Sequence, residues 1–328
     1  MTAALEAAVE PRENRPLPDE QQAALAKARR LCWWSIVLLS GVSALMYAVM
    51  GGSQAMKTAL VEDVLSLVPP IAFLVASRFQ RKPPDHEYVN GRARAFDVNF
   101  LIGSVALAGV GLGLVWDGLH TLLTATHPVI TTVDIGGQVV WQGWVMMAAL
   151  VVSTIPPVIL GHAKLKLARQ LSLKPLNTDA DMNKADWMTA LAGIAGVAGI
   201  GFGLWWADAV AALFIAGSVL HDGVTNLRAA VRDLHDARPQ ELDRSEPDPI
   251  TRKVANAVAA LGWVRGCRVR LHEEGFRICG AVFVTSADGH GTPARLREAH
   301  EAAQSVSWRI DEVVVTLEGE EGPSAGGD

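Results

Sequence analysis

Charge is scarce in this chain of 328 residues: Asp, Glu, Lys and Arg make up only 19%, against 50% hydrophobic residues. Soluble domains carry about a quarter of their residues as charge, so the composition leans towards a membrane, as does the mean hydropathy of +0.23. Cysteine is nearly absent, with Cys32, Cys267 and Cys279 scattered and no CxxC. That excludes a disulfide framework and a thiolate zinc site. No basic surplus exists either: the net charge is -5. A nucleic-acid binder would need a basic stripe, so none is expected as a partner. The first twenty residues, MTAALEAAVEPRENRPLPDE, lack an apolar run and read as a cytoplasmic lead-in rather than a signal peptide.

What the chain has in quantity is long apolar runs. A helix needs about 20 mostly apolar residues to cross the hydrocarbon core. Six segments qualify, at Trp33–Gly52, Lys57–Ser77, Val98–Ala125, Val139–Leu160, Ala185–Leu204 and Ala207–Leu227. The second holds Pro69-Pro70 and the fourth Pro156-Pro157, pairs that free backbone carbonyls and kink a helix. Lys and Arg gather before the first span, after the second, after the fourth and after the sixth, whereas Thr126–Gln138 carries none. The positive-inside rule then expects both termini in the cytoplasm, with Lys57 as the lone dissenter. Paired Trp33-Trp34 and Trp205-Trp206 suit the aromatic belts.

After Pro239 the periodicity changes. Residues 250–261 repeat as a helix, CRVRLHE and FRICGAVFVTS as strands about a Glu274-Gly275 turn, 292–302 as a helix and 312–318 as a strand. The expected organisation is a lead over 1–30 without structure, a six-helix transmembrane domain over 31–235, an αββαβ cytoplasmic domain over 236–318 and a structureless tail over 319–328.

The stretch ALVEDVLS, residues 59–66, sets two acids inside an apolar span. Glu62 and Ser66 lie at i, i+4 on one face, and Asp63 reaches Ser66 at i, i+3. Either they sit near the headgroups or they mark function with a partner elsewhere. The partner candidate is TDADMNKADW, residues 178–187, where Asp179, Met182 and Asp186 share a face and Asn183 stands on its shoulder. A polar helix start with Thr178 as N-cap accounts for Asp179 and Asp181 but poorly for Asp186. Oxygen ligands from two helices suit a divalent cation, softened by a thioether. One such site can hold protons or a metal ion, the physical basis of metal–proton exchange. In the loop KPPDHEYVNGRARAFD, Asp85 and His86 are a possible second metal site, though such a pair is more often solvated polar sequence.

The six spans, that loop, WWADAVAALFIAG, LRAAVRDLHDARP and the αββαβ tail together resemble the cation diffusion facilitator family over residues 30–318. The resemblance implies a homodimer in the plasma or inner membrane that expels divalent metal ions in exchange for protons, with no permanent cofactor and no enzymatic activity. It also implies that the tail domain is ferredoxin-like and pairs with its twin. It places the metal ligands on Glu62, Ser66, Met182 and Asp186, with Asp63, Asp179 or Asn183 in support. Members have His or Asp at the first position, Asp at the second and His at the third. Losing the imidazole argues against zinc and leaves manganese or iron open. Of the loop histidines only His86 matches, and Asn90 replaces the other. Cys267, Ala281, Thr316 and Glu318 stand where some members have tail ligands. The charge pair that clamps some dimers falls on Arg92 and Asp236. Two weak ligands among four also fit a non-transporting scaffold or regulatory partner of a related transporter.

Overall fold

The computed structural model describes residues 16–127 and 129–318, except for the side chains at 135, 184 and 185. The chain divides into a helical unit, Ala23–Lys82 with Ala95–Val231, and a second unit whose described part comprises residues 16–22, 83–94 and 232–318.

The helical unit is built from α1 (Asp19–Val49), α2 (Gln54–Leu65), α3 (Val68–Gln80), α4 (Ala95–Leu123), α5 (Gln142–Leu171), α6 (Lys174–Gly201) and α7 (Trp205–Leu234). Among the described residues, five stretches are long and apolar enough to cross a membrane: α1, α2 with α3 taken together, α4, α5 and α7. The expected fifth span, Ala185–Leu204, overlaps α6, which ends at Gly201, carries Asp179, Asp181 and Asp186 in its first half and is not among the five. Large apolar side chains such as Val37, Ile102, Leu112, Ile155 and Ile159 lie exposed on these helices, the surface that lipid covers. The interior is a cluster of Val42, Met46, Met56, Ala59, Met146, Leu150, Val197 and Ile215, drawn from α1, α2, α5, α6 and α7.

Several boundaries differ from the sequence expectation. The lead-in was expected to lack structure up to residue 30, yet α1 starts at Asp19, because Ala24, Leu25 and Ala28 form a buried stripe continuous with Cys32. Residues 1–15 and the expected tail at 319–328 lie outside the described residues. The fourth span was expected from Val139, but Gln138–Trp141 is a strand, β2, paired antiparallel with β1, Thr132–Ile135. Gly136 and Gly137, with φ of 64° and 84°, supply the two-residue turn that such a hairpin requires. Thr178 is not an N-cap, since α6 begins at Lys174 behind Leu173 with Pro175 in its first turn.

The two proline pairs have opposite outcomes. Helix α5 runs unbroken through Pro156-Pro157, whereas the second span breaks at Ser66-Leu67, just before Pro69-Pro70. Neither Pro69 nor Pro70 has an N–H to return to the carbonyls of Leu65 and Ser66.

In the second unit, α8 (Ile250–Ala259), β3 (Val264–Glu274), β4 (Arg277–Ser286), α9 (Pro293–Ser305) and β5 (Ile310–Leu317) follow the expected order. The sheet runs β3-β4-β5, antiparallel between β3 and β4 and parallel between β4 and β5. Val254, Val258, Leu271, Ile278, Val282, Ala299, Ala303 and Ile310 pack its core between sheet and helices.

Candidate cation site

The break in the second span sets the site. Ser66 closes α2 in helical backbone geometry, and both its N–H and its hydroxyl donate to the Glu62 carbonyl, at 2.9 and 3.1 Å. The start of α2 is fixed from another helix. The Asp208 carboxylate of α7 accepts from the Ser53 hydroxyl at 2.6 Å and from the backbone N–H of Gln54 and Ala55 at 2.5 and 3.2 Å. An anion at a helix N-terminus satisfies the unpaired donors there.

Glu62, Ser66, Met182 and Asp186 line one cavity between α2, α6 and α7, together with Thr189, Ser218 and Asp222. Its free volume of about 20 Å³ is room for one water or one cation. A second cavity adjoins it across Glu62, Asp186 and Thr189, and is bordered by Asp63, Ser153 and Thr154. One Asp63 carboxylate oxygen, Oδ2, is buried there without a hydrogen-bond partner. The Thr189 hydroxyl donates to the Asp186 carbonyl at 2.8 Å, and the Met182 sulfur accepts from the Asn226 side-chain amide at 3.7 Å. Carboxylate, hydroxyl and thioether groups can share a divalent cation. Among the described residues no three His, Cys, Asp or Glu side chains form a ready-made metal cluster, so the cavity is not a preformed cage.

Other expected ligands are used elsewhere. Asp179 forms a buried ion pair with Lys164 of α5 at 2.7 Å, and Asn183 donates to Asp179 at 3.2 Å. Because α5 stays helical to Leu171, Lys164 stands inside the bundle opposite Asp179 rather than in a solvated loop. In the 82–97 loop, Asp85 accepts from Arg92 at 2.6 Å and from the N–H groups of Tyr88 and Glu87 at 2.8 and 3.1 Å. Arg92 first, and then the backbone donors, hold its carboxyl below the usual carboxylate range. Asp85 is thus the organiser of a turn, and His86 beside it is exposed. Nor do Arg92 and Asp236 pair with each other within the chain. Arg92 is taken by Asp85 and stacks over Tyr88 at 4.0 Å, while Asp236 pairs with Arg94 at 2.6 Å. In the tail domain, Glu318 pairs with Arg268, and Cys267 faces Val284 in the β3–β4 register.

Sequence reading missed Asp222, Ser218 and Thr189. The signal for the first two was present: Ser218, Asp222 and Asn226 recur at i, i+4 and i+8 inside an apolar span, the pattern of one polar helix face.

These features define a multi-span membrane protein whose bundle keeps carboxylates from different helices around a cation-sized cavity. The model of the cation efflux transmembrane domain matches residues 32–235, and the chain belongs to that family, the cation diffusion facilitators, whose members are transporters and not enzymes. It is 28% identical to the cation-efflux pump FieF of Cronobacter sakazakii over 66% of this chain and 65% of that protein. It is 25% identical to FieF of Serratia proteamaculans over 71% of this chain and 70% of that one. Similarity to the manganese efflux system protein MneS of Bacillus subtilis is 24% over 50% of this chain and 52% of that protein. The matched region spans about two-thirds of the FieF pump of Cronobacter sakazakii and about half of MneS.

Proposed function

We propose that this protein is a secondary active exporter that exchanges a cytoplasmic divalent metal cation for protons at the Glu62–Ser66–Met182–Asp186 cavity. The observation that carries the reading is that cavity: the resemblance picks four positions on two helices, and they border one cation-sized space. Each of Glu62 and Asp186 takes either a proton or a share of the cation. Protons arriving from outside are displaced by the cytoplasmic ion, which is then released outward as the helices rearrange. The family match and the name of the MneS relative make Mn2+ the first cation to test, and Met182 at the imidazole position argues against zinc.

The same reading adds α6 to the five stretches above as a further span, the fifth in chain order, since its part after Asp186 is apolar. It places the protein in the plasma or inner membrane with both termini cytoplasmic. Lys57, the dissenting positive charge, is paired with Asp117 at 3.2 Å, and it stands alone against the Lys and Arg clusters on the other side. The αββαβ unit is read as a ferredoxin-like domain through which two copies pair. Its element order and sheet pairing support that reading.

Transport of Mn2+, Fe2+, Zn2+, Co2+, Ni2+ and Cd2+ into everted vesicles or proteoliposomes under an imposed pH gradient tests the proposal. Gradient-dependent uptake of one metal, lost in Glu62→Ala and in Asp186→Ala, is expected. Uptake that survives both substitutions would sink the site. A second reading, a non-transporting partner of a related transporter, is favoured by one observation, the lack of a ready-made ligand cluster among the described residues. It predicts no uptake of any of the six metals by a chain that still folds and assembles.

A further inference from the structure

Asp222 of α7 lies in the ion cavity itself, beside Glu62, Ser66, Met182 and Asp186. Three further observations bear on what it does there. The first is the direction of its helix face. Ser218, one turn earlier, borders the same cavity, and Asn226, one turn later, hydrogen-bonds the Met182 sulfur at 3.7 Å. Three successive turns of α7 therefore present polar groups to the site.

The second is how firmly that face is held. A Cβ added at Gly223 would come within 2.5 Å of the Ala108 backbone nitrogen, and one added at Gly111 within 2.8 Å of the Leu220 backbone. Helices α4 and α7 are thus closely packed through glycines, with the Asp222 face of α7 turned to the cavity. The third is charge. No Lys or Arg lies within ion-pair distance of Asp222, Glu62 or Asp186 among the described residues. The adjoining cavity adds the buried, unpartnered oxygen of Asp63. Acids gathered inside an apolar bundle with no Lys or Arg at ion-pair distance among the described residues are the arrangement that a cation from solution completes.

We propose that Asp222 is the third carboxylate of the cation site, taking in space the place that Ser66 leaves in sequence. The proposal rests on the exporter reading above. It gives the site three carboxylates, two serine hydroxyls and one thioether, a set that favours an oxygen-preferring divalent cation over a soft one. Because the three acids border the cavity without forming a ready-made cluster, the cation draws them together on binding.

The test is binding of Mn2+ and of Cd2+ to the purified full-length protein in detergent. Free Mn2+ is followed by electron paramagnetic resonance and Cd2+ by calorimetry, with size-exclusion profile and Tm as checks on folding. Asp222→Asn is expected to weaken Mn2+ by about tenfold or more while Cd2+, which retains Met182, loses less. Adding Ser66→Asp to Asp222→Asn is expected to restore Mn2+ binding, because it returns a carboxylate to the same cavity. If Asp222→Asn binds Mn2+ as the wild type does while Glu62→Gln abolishes binding, Asp222 is not a ligand and the exporter reading stands. An equal loss of both metals with no rescue by Ser66→Asp assigns Asp222 a structural role and overturns the proposal. A wild type that binds neither metal removes both readings together.

Discussion

In the αββαβ unit, charges meet partners. Arg309 binds Asp248 at 2.7 Å and Glu273 at 2.6 Å, and its Nε donates to the Phe276 carbonyl. Arg295 holds Asp288 at 2.8 Å, and Arg268 holds Glu318. The helical unit treats its acids in two ways. Asp117, Asp179 and Asp208 are matched to Lys57, Lys164 and a helix N-terminus. Glu62, Asp63, Asp186 and Asp222 border two adjoining cavities with no Lys or Arg at ion-pair distance among the described residues. Pairing is cheap beside water. Inside a bundle an uncompensated charge costs several kcal/mol, so acids without such a partner there are the candidates for a functional role.

That contrast can be broken by substitution. Arg309→Ala removes the Arg309 ion pairs of the buried Glu273 and of Asp248 and is expected to cost about 3–5 kcal/mol. The measurement is urea unfolding followed by a probe in the αββαβ unit, and a loss under about 1 kcal/mol would show that the network is not stabilising. Lys164→Ala should destabilise the helical unit on a similar scale of about 3–5 kcal/mol. Replacing both partners, Lys164→Met with Asp179→Leu, should recover most of that, which thermal unfolding in detergent will read. A double variant as unstable as the single one would mean that Asp179 does more than balance Lys164.

Asp208→Ala removes the acceptor of three hydrogen bonds at the start of α2, and about 1–3 kcal/mol is expected. Asp186→Asn belongs at the other end of the scale: Tm unchanged or slightly raised, with cation binding lost. A large fall in Tm would instead place Asp186 among the structural acids. The smallest effect concerns pH. Ser286, then Arg295 and the His290 N–H, hold the Asp288 carboxyl below its ordinary range. A lowered folded-state value contributes stability that is present above the ordinary carboxylate range and lost as pH falls through and below it. Asp288→Asn should flatten that acid limb of the stability profile slightly and change nothing at neutral pH.

Much of this was legible from composition and pattern. Apolar runs located the helices, β-branched alternation located the strands of the tail, and the i, i+4 spacing of Glu62 and Ser66 located one wall of the cavity. Asp186 was legible because it stands about two turns beyond Thr178, the expected helix start, where a dipole or cap argument no longer reaches. Asp179 was misjudged, since nothing along the chain says that Lys164 lies opposite it across α5 and α6. Arg92 and Arg94 are two residues apart and equally charged, and only the folded loop shows that Asp85 takes the first and Asp236 the second. Pro69-Pro70 and Pro156-Pro157 read identically in sequence, yet one span breaks and the other does not.

The sequence by itself determined which segments leave water and which acids are carried with them, because hydropathy and helical period are properties of neighbours along the chain. Only the tertiary structure decided that Asp222 shares a cavity with Glu62 and Asp186 while Asp179 does not. That choice depends on how each helix is turned about its axis and on which helix it meets. Close contacts such as Gly223 against Ala108 and Gly111 against Leu220 set it, and they join residues far apart in the chain.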